Sequence, residues 1–112
     1  MNTSKDILIL KSGKKIKRVV IADIIYITCN CSICDVHFVD GTDFTCSKPL
    51  HYFEETLPSD LFFRINHHII VCLAQVSEIV TENAAHTVLM KDGADFSISY
   101  RKWPAFRDCY LK

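Results

Sequence analysis

The chain has little of several things that commonly carry chemistry. Only 3 of its 112 residues are glycine, so no glycine-rich loop is available to cradle a phosphate. No apolar run approaches the ~20 residues that a membrane-spanning helix needs. The first residues, Met1 to Asp6, lack the charged and then apolar pattern of an export signal, so a cytoplasmic location and no membrane partner are expected. No internal repeat, low-complexity tract or linker composition interrupts the sequence, which predicts one domain over 1–112. An excess of either charge is also missing. Lys+Arg 13 against Asp+Glu 13 gives a formal net charge of +0, whereas many nucleic-acid-binding domains are basic.

What is present is apolar and rich in cysteine. A hydrophobic content of 49% supports a real core. Six cysteines in a chain without an export signal are expected as reduced thiols. Cys29-x-Cys31-x-x-Cys34 has short thiolate spacing of the kind that metals require. Strand alternation, however, sends Cys29 and Cys31 to one face and Cys34 to the other, and no second close pair follows. Free thiols that behave as small apolar residues, with no metal and no other cofactor, are the expectation; a tight turn at Ser32 would be needed to build a site. His67 and His68, as strand neighbours, point apart. His37, His51 and His86 have no carboxylate partner that spacing alone dictates, and Cys72 is embedded between Val71 and Leu73. An enzyme is therefore the weaker class.

Read in order, Ile7 to Leu10 and Ile16 to Ile21 form a hairpin turning at Ser12-Gly13-Lys14. Next comes a strand with Ile25, Ile27, Cys29 and Cys31 on one face and Tyr26, Thr28 and Asn30 on the other. Cys34, Val36 and Phe38 then alternate with Asp35, His37 and Val39 up to an Asp40-Gly41 turn, and Asp43 to Cys46 returns. Ser47 is expected to cap a helix with Pro49 in its first turn, Leu50, Phe53 and Leu57 on its buried stripe and Pro58 at its end. Val76 to Thr81, Thr87 to Lys91 and Phe96 to Ser99 form a meander. Trp103-Pro104 is expected to interrupt any helix after Tyr100, leaving Phe106, Tyr110 and Leu111 to dock a short terminal one. The fold class is mainly β with one or two short helices.

Phe62 to Leu73 is the centre of this plan. Phe62, Phe63 and Ile65 favour a strand, and Ile69 to Leu73 are too apolar to be left in water. Asn66-His67-His68 is thereby held at a polar corner between two buried anchors, where donors can be presented in a fixed direction. Arg64, alternating with Phe63 and Ile65, is expected to anchor this corner by reaching the turn or a nearby carboxylate. Lys11, Lys14, Lys15, Lys17 and Arg18 cluster early and Arg101, Lys102, Arg107 and Lys112 late. The early cluster reads first as a solvated surface.

The stretch Phe62-Phe63-Arg64-Ile65-Asn66-His67-His68-Ile69-Ile70-Val71-Cys72-Leu73 resembles the central signature of the LytTR DNA-binding domain family. Two further pieces accompany it: Ser47-x-x-Leu50-x-x-Phe53-Glu54-x-x-Leu57-Pro58 upstream, and Asp92-Gly93 followed by Ile98-Ser99-Tyr100-Arg101 downstream. The resemblance implies an elongated, multi-stranded fold that regulates transcription by inserting loops into successive major grooves of double-stranded DNA, commonly at paired direct repeats. By position it implies base contacts from Ile33, His67 and Arg101, with Arg64, Asn66, His68 and Lys102 on the backbone or in support. Of these, Arg101 suits guanine bidentately and Ile33 suits a thymine methyl. At the corner, Asn66-His67-His68 stands where His-Arg-Ser is usual, so the preferred DNA sequence does not carry over. A homodimer on DNA and a separate signalling protein that supplies the input are implied partners. The competing reading is a protein-interaction or regulatory module of the same fold, motivated by the neutral charge and the altered corner.

Overall fold

The computed structural model describes residues 6–112. The expectation about an export signal rests on residues of which 1–5 lie outside that range. The strands are β1 (Ile7–Ser12), β2 (Lys15–Val20), β3 (Ile24–Asn30), β4 (Ile33–Phe38), β5 (Asp43–Cys46), β6 (Phe62–Asn66), β7 (Ile69–Cys72), β8 (Val76–Glu82), β9 (Ala85–Met90) and β10 (Asp95–Ile98). The helices are α1 (Leu50–Thr56) and α2 (Trp103–Tyr110). The described strands form a five-stranded sheet of order β5-β4-β3-β7-β6, a three-stranded sheet β10-β9-β8 and the hairpin β1-β2. All pairings are antiparallel.

The five-stranded sheet is covered on one face throughout and on the other only at β3, β7 and β6, and this explains the composition of β7. One core packs the β1-β2 hairpin and α1 onto the sheet through Leu10, Val19, Ile27, Val36, Phe53 and Ile70. The other packs the three-stranded sheet and α2 through Ile65, Val71, Val88, Met90 and Phe106. All four residues of β7 are buried, Ile70 and Cys72 in the first core and Ile69 and Val71 in the second. A strand covered on both faces reads as a continuous apolar run.

Several expectations need correction. The register of β3 slips between Ile24 and Tyr26, and this bulge puts Ile25 in the second core while Ile27 and Cys29 stay in the first. Ile25 therefore does not share a face with Ile27 and Cys29, because an extra residue shifts the alternation by one. Cys31 is not on the strand at all. It sits in the β3-β4 turn with φ 60°, and the hairpin makes Cys29 and Cys34 direct cross-strand partners, buried on the same side. Two residues paired across a hairpin face the same way, so counting odd steps along one extended strand gives the wrong answer. Ser47 is not the helix cap either: Pro49 holds that position with no side-chain cap bond. Trp103-Pro104 starts α2 rather than interrupting a helix, since the first helical turn does not use the missing proline N–H. Phe106 is fully buried, but Leu111 is 73% exposed and undocked.

The thiols divide by environment. Cys29, Cys34, Cys46 and Cys72 are buried, Cys31 is exposed and Cys109 is half-buried. Burial raises the Cys34 thiol far above the ordinary range, with Cys29 beside it contributing, and burial likewise raises Cys46 and Cys72. Less thiolate and less access together slow alkylation. Timed alkylation followed by mass mapping should label Cys31 first and Cys109 more slowly, with Cys34, Cys46 and Cys72 labelled only on unfolding. Early labelling of Cys34 would contradict this packing.

Candidate nucleic-acid interface

Strand direction alone gathers the candidate residues at one end of the molecule. β3 ends and β4 begins there, β6 ends and β7 begins there, and the hydrogen bond from Cys29 N to His68 O (2.8 Å) ties these two turns side by side. At ~4.8 Å per strand, their centres lie about 10 Å apart. β10 joins at the other side of the corner: Ser99 N donates to Ile65 O (2.8 Å) and Asn66 Nδ2 donates to Ser97 O (2.7 Å). Two turns and the segment after β10 thus form a row, with His67 and Arg101 in the second and third; Ile33, expected in the loop before Cys34, is instead the first residue of β4, paired with Asn30 at the edge of the β3-β4 turn.

The central corner is built rigidly. The register of β6 shifts between Arg64 and Asn66, a bulge of the kind that re-aims side chains. Asn66 then works in two directions, with Nδ2 on β10 and Oδ1 accepting from His68 N (2.8 Å). Arg64 donates from Nε to Asn66 O (3.3 Å), from Nη2 to His67 O (3.1 Å) and from Nη1 to Glu54 Oε1 (3.1 Å). The guanidinium therefore reaches both the turn and a carboxylate. Charge-assisted bonds to a turn carbonyl and an acid fix an angle that a neutral side chain would not. Glu54, at 44% side-chain exposure, leaves the ion pair partly screened. We expect Arg64→Ala to cost about 1–2 kcal/mol of stability, chiefly through the two carbonyl bonds, and to loosen the corner. Thermal melts of the variant decide this; an unchanged melting temperature with lost DNA affinity would make Arg64 a ligand contact instead.

His67, Arg101, Arg64, Asn66 and Lys102 line one open groove of ≈ 390 Å³ with Glu54 and Ser99. His67 and Arg101 are exposed. Ile33, at the start of β4 beside the neighbouring turn, is 51% exposed and lies outside that groove, as does His68. Lys102 is half-buried at the start of α2, its N–H held by Ser99 O (3.0 Å). Residue order along the chain did not single out Glu54 as the partner of Arg64, although the Phe53-Glu54 pair sits in the upstream motif. Tyr100, within the downstream motif, is 89% exposed beside Arg101. Another missed arrangement lies elsewhere on the sheet: His37 Nδ1 meets Asp43 Oδ1 (2.7 Å) and Nε2 meets Thr28 Oγ1 (3.1 Å). Both partners come from neighbouring strands, which local spacing does not show. Nearby, burial and then the Asp92 carboxylate, which accepts from Tyr26 Oη at 3.1 Å, push the Tyr26 phenol up to about 12.

Charge is mixed at both ends: Asp23 and Asp40 share the far end with Lys17 and Arg18, while Arg64, Arg101 and Lys102 stand at the loop end with Glu54 among them. A phosphate lattice meets the local charge, so the sum over the chain is the less relevant quantity.

A family model described as the LytTr DNA-binding domain matches residues 14–110. The fold is similar to a solved LytTr DNA-binding domain from Bacillus cereus, with a TM-score of 0.80 at 21% sequence identity over 93% of this chain and 95% of that one. No curated protein sequence matches the chain significantly. No helix among the described residues is long and apolar enough to cross a membrane.

Proposed function

The chain belongs to the LytTr DNA-binding domain family, and on that premise we propose that residues 1–112 act as one sequence-specific double-stranded DNA-binding unit that regulates transcription. The carrying observation is the row of three loops at one end, with an exposed Arg101 that has no ion-pair partner among the described residues. Arg101 reads a guanine edge in one major groove, and Ile33 packs on a thymine methyl in the next. His67 reads bases from the central corner. Lys102 and His68 meet phosphates, and Arg64 and Asn66, whose polar groups are already used inside the protein, hold the corner in place. Copies occupy paired direct repeats, with a homodimer forming on DNA and a separate signalling protein supplying the input.

The test is binding to a duplex selected from a random pool, competed by scrambled duplex across a salt series. Selective binding with a steep salt slope is expected; no preference would favour the protein-interaction reading. His67→Ala should lower discrimination between the two duplexes, while His68→Ala should weaken both alike.

A further inference from the structure

We infer that the tip of the β1-β2 hairpin, with Lys11, Lys14 and Lys15, joins Lys48 to form a phosphate clamp that extends the DNA footprint beyond the three reading loops. This rests on the DNA-binding reading above. The register of the hairpin carries Ser12 opposite Lys15, so the tip projects beyond Lys11. A shallow groove lined by Leu10, Lys11, Cys46, Lys48 and Tyr52 places that part of β1 against the end of β5. Cys46 is the cross-strand partner of Cys34, which in turn is the partner of Cys29 beside the β3-β4 turn. The hairpin tip therefore lies at the loop end of the molecule, in the layer next to the central sheet, about 10 Å from its plane by ordinary layer spacing.

Lys48 is held there by two contacts. Its Nζ sits over the Tyr52 ring at 4.8 Å, and its carbonyl accepts from Cys34 Sγ at 3.0 Å. Lys11, Lys14, Lys15 and Lys48 are exposed and take part in no ion pair among the described residues. The early basic run is thus divided by the fold. Lys17, from the same run and paired with Leu10, sends its side chain toward the far end of the central sheet, where its Nζ lies 5.7 Å from the Phe38 ring and its charge helps Thr42 hold the Asp40 carboxyl low. One half of the run has acids to answer to; the other half faces open solvent beside the reading loops. Compact ammonium groups on flexible stems are suited to phosphate oxygens and carry no sequence preference.

The experiment compares two double variants of the full chain on the selected duplex and on scrambled duplex. Lys14→Gln with Lys15→Gln should reduce the salt slope by about 2, near 0.9 for each phosphate released, weaken both duplexes by the same factor and shorten hydroxyl-radical protection on one side. Lys17→Gln with Arg18→Gln removes the same charge from the same hairpin and should change the slope by less than half as much, with the footprint unaltered. Equal losses from the two doubles, or an intact footprint in the first, would overturn the clamp while leaving the reading loops in force. A wild-type chain with no selective DNA binding would instead remove the premise and the clamp together. Both doubles lie on exposed positions, and matched melting curves verify their folding.

Discussion

Phe106→Ala should lower stability by about 3–5 kcal/mol, the usual range for emptying a buried aromatic site, and drop the melting temperature by roughly 13–20 °C for a domain of this size. Phe106 has 0% exposure and is the side chain that seats α2. Its ring meets Phe63 edge-on at 5.3 Å and lies near Tyr110 at 5.9 Å, while its N–H closes the first turn onto Lys102 O at 2.9 Å. Arg101 and Lys102 lead directly into this helix, so unseating α2 displaces both from the groove they line with His67. Discrimination between duplexes should fall along with stability. Phe106→Leu, which keeps an apolar side chain of similar bulk, should cost less than about 1.5 kcal/mol and preserve discrimination. A loss under 1 kcal/mol for the alanine variant in chemical denaturation would show that α2 is not anchored here.

The second large effect falls on recognition with the fold intact. Arg101→Ala should erase preference at one base-pair position, a loss of about 1–3 kcal/mol or roughly 5- to 150-fold for the selected duplex, with little change on scrambled duplex. Lys102→Ala should weaken both duplexes together and reduce the salt slope by about 1. The contrast matters because the two residues are adjacent and carry the same charge, so an account based only on attraction to phosphates predicts the same outcome for both. Arg101 is exposed and Lys102 half-buried, and neither substitution empties a core position. If competition binding shows site preference intact in Arg101→Ala and in His67→Ala, the loops do not read bases directly.

Much of this arrangement was legible in the sequence because local chemistry dictates it. Asp40-Gly41 and Asp92-Gly93 mark turns that need left-handed backbone, and Gly41 and Gly93 have φ 87° and 97°. The apolar block after His68 demanded burial, and β7 is covered on both faces. The anchor geometry of Arg64 followed from its place between Phe63 and Ile65. What was not legible depends on elements meeting across the fold. The bulges in β3 and β6 are accommodations to packing on two faces, and no residue in Ile24-Ile25-Tyr26 announces one. The pairing of Cys29 with Cys34 hinges on whether Cys31 turns or extends, a choice that composition leaves open. Glu54 reaches Arg64 only because α1 lies over β6. The division of the basic run between Lys14-Lys15 and Lys17-Arg18 depends on which end of the central sheet the hairpin tip approaches.

The burial of β7 on both faces also decides which part of the chain opens last. Its backbone pairs with β3 along one edge and with β6 along the other, so neither a face nor an edge of the strand meets water. Amides in such a strand exchange their hydrogens only when the whole domain opens, whereas those of exposed turns exchange in local openings. The corner at Asn66-His67-His68 ends where this strand begins, and so hangs on the most persistent segment of the fold.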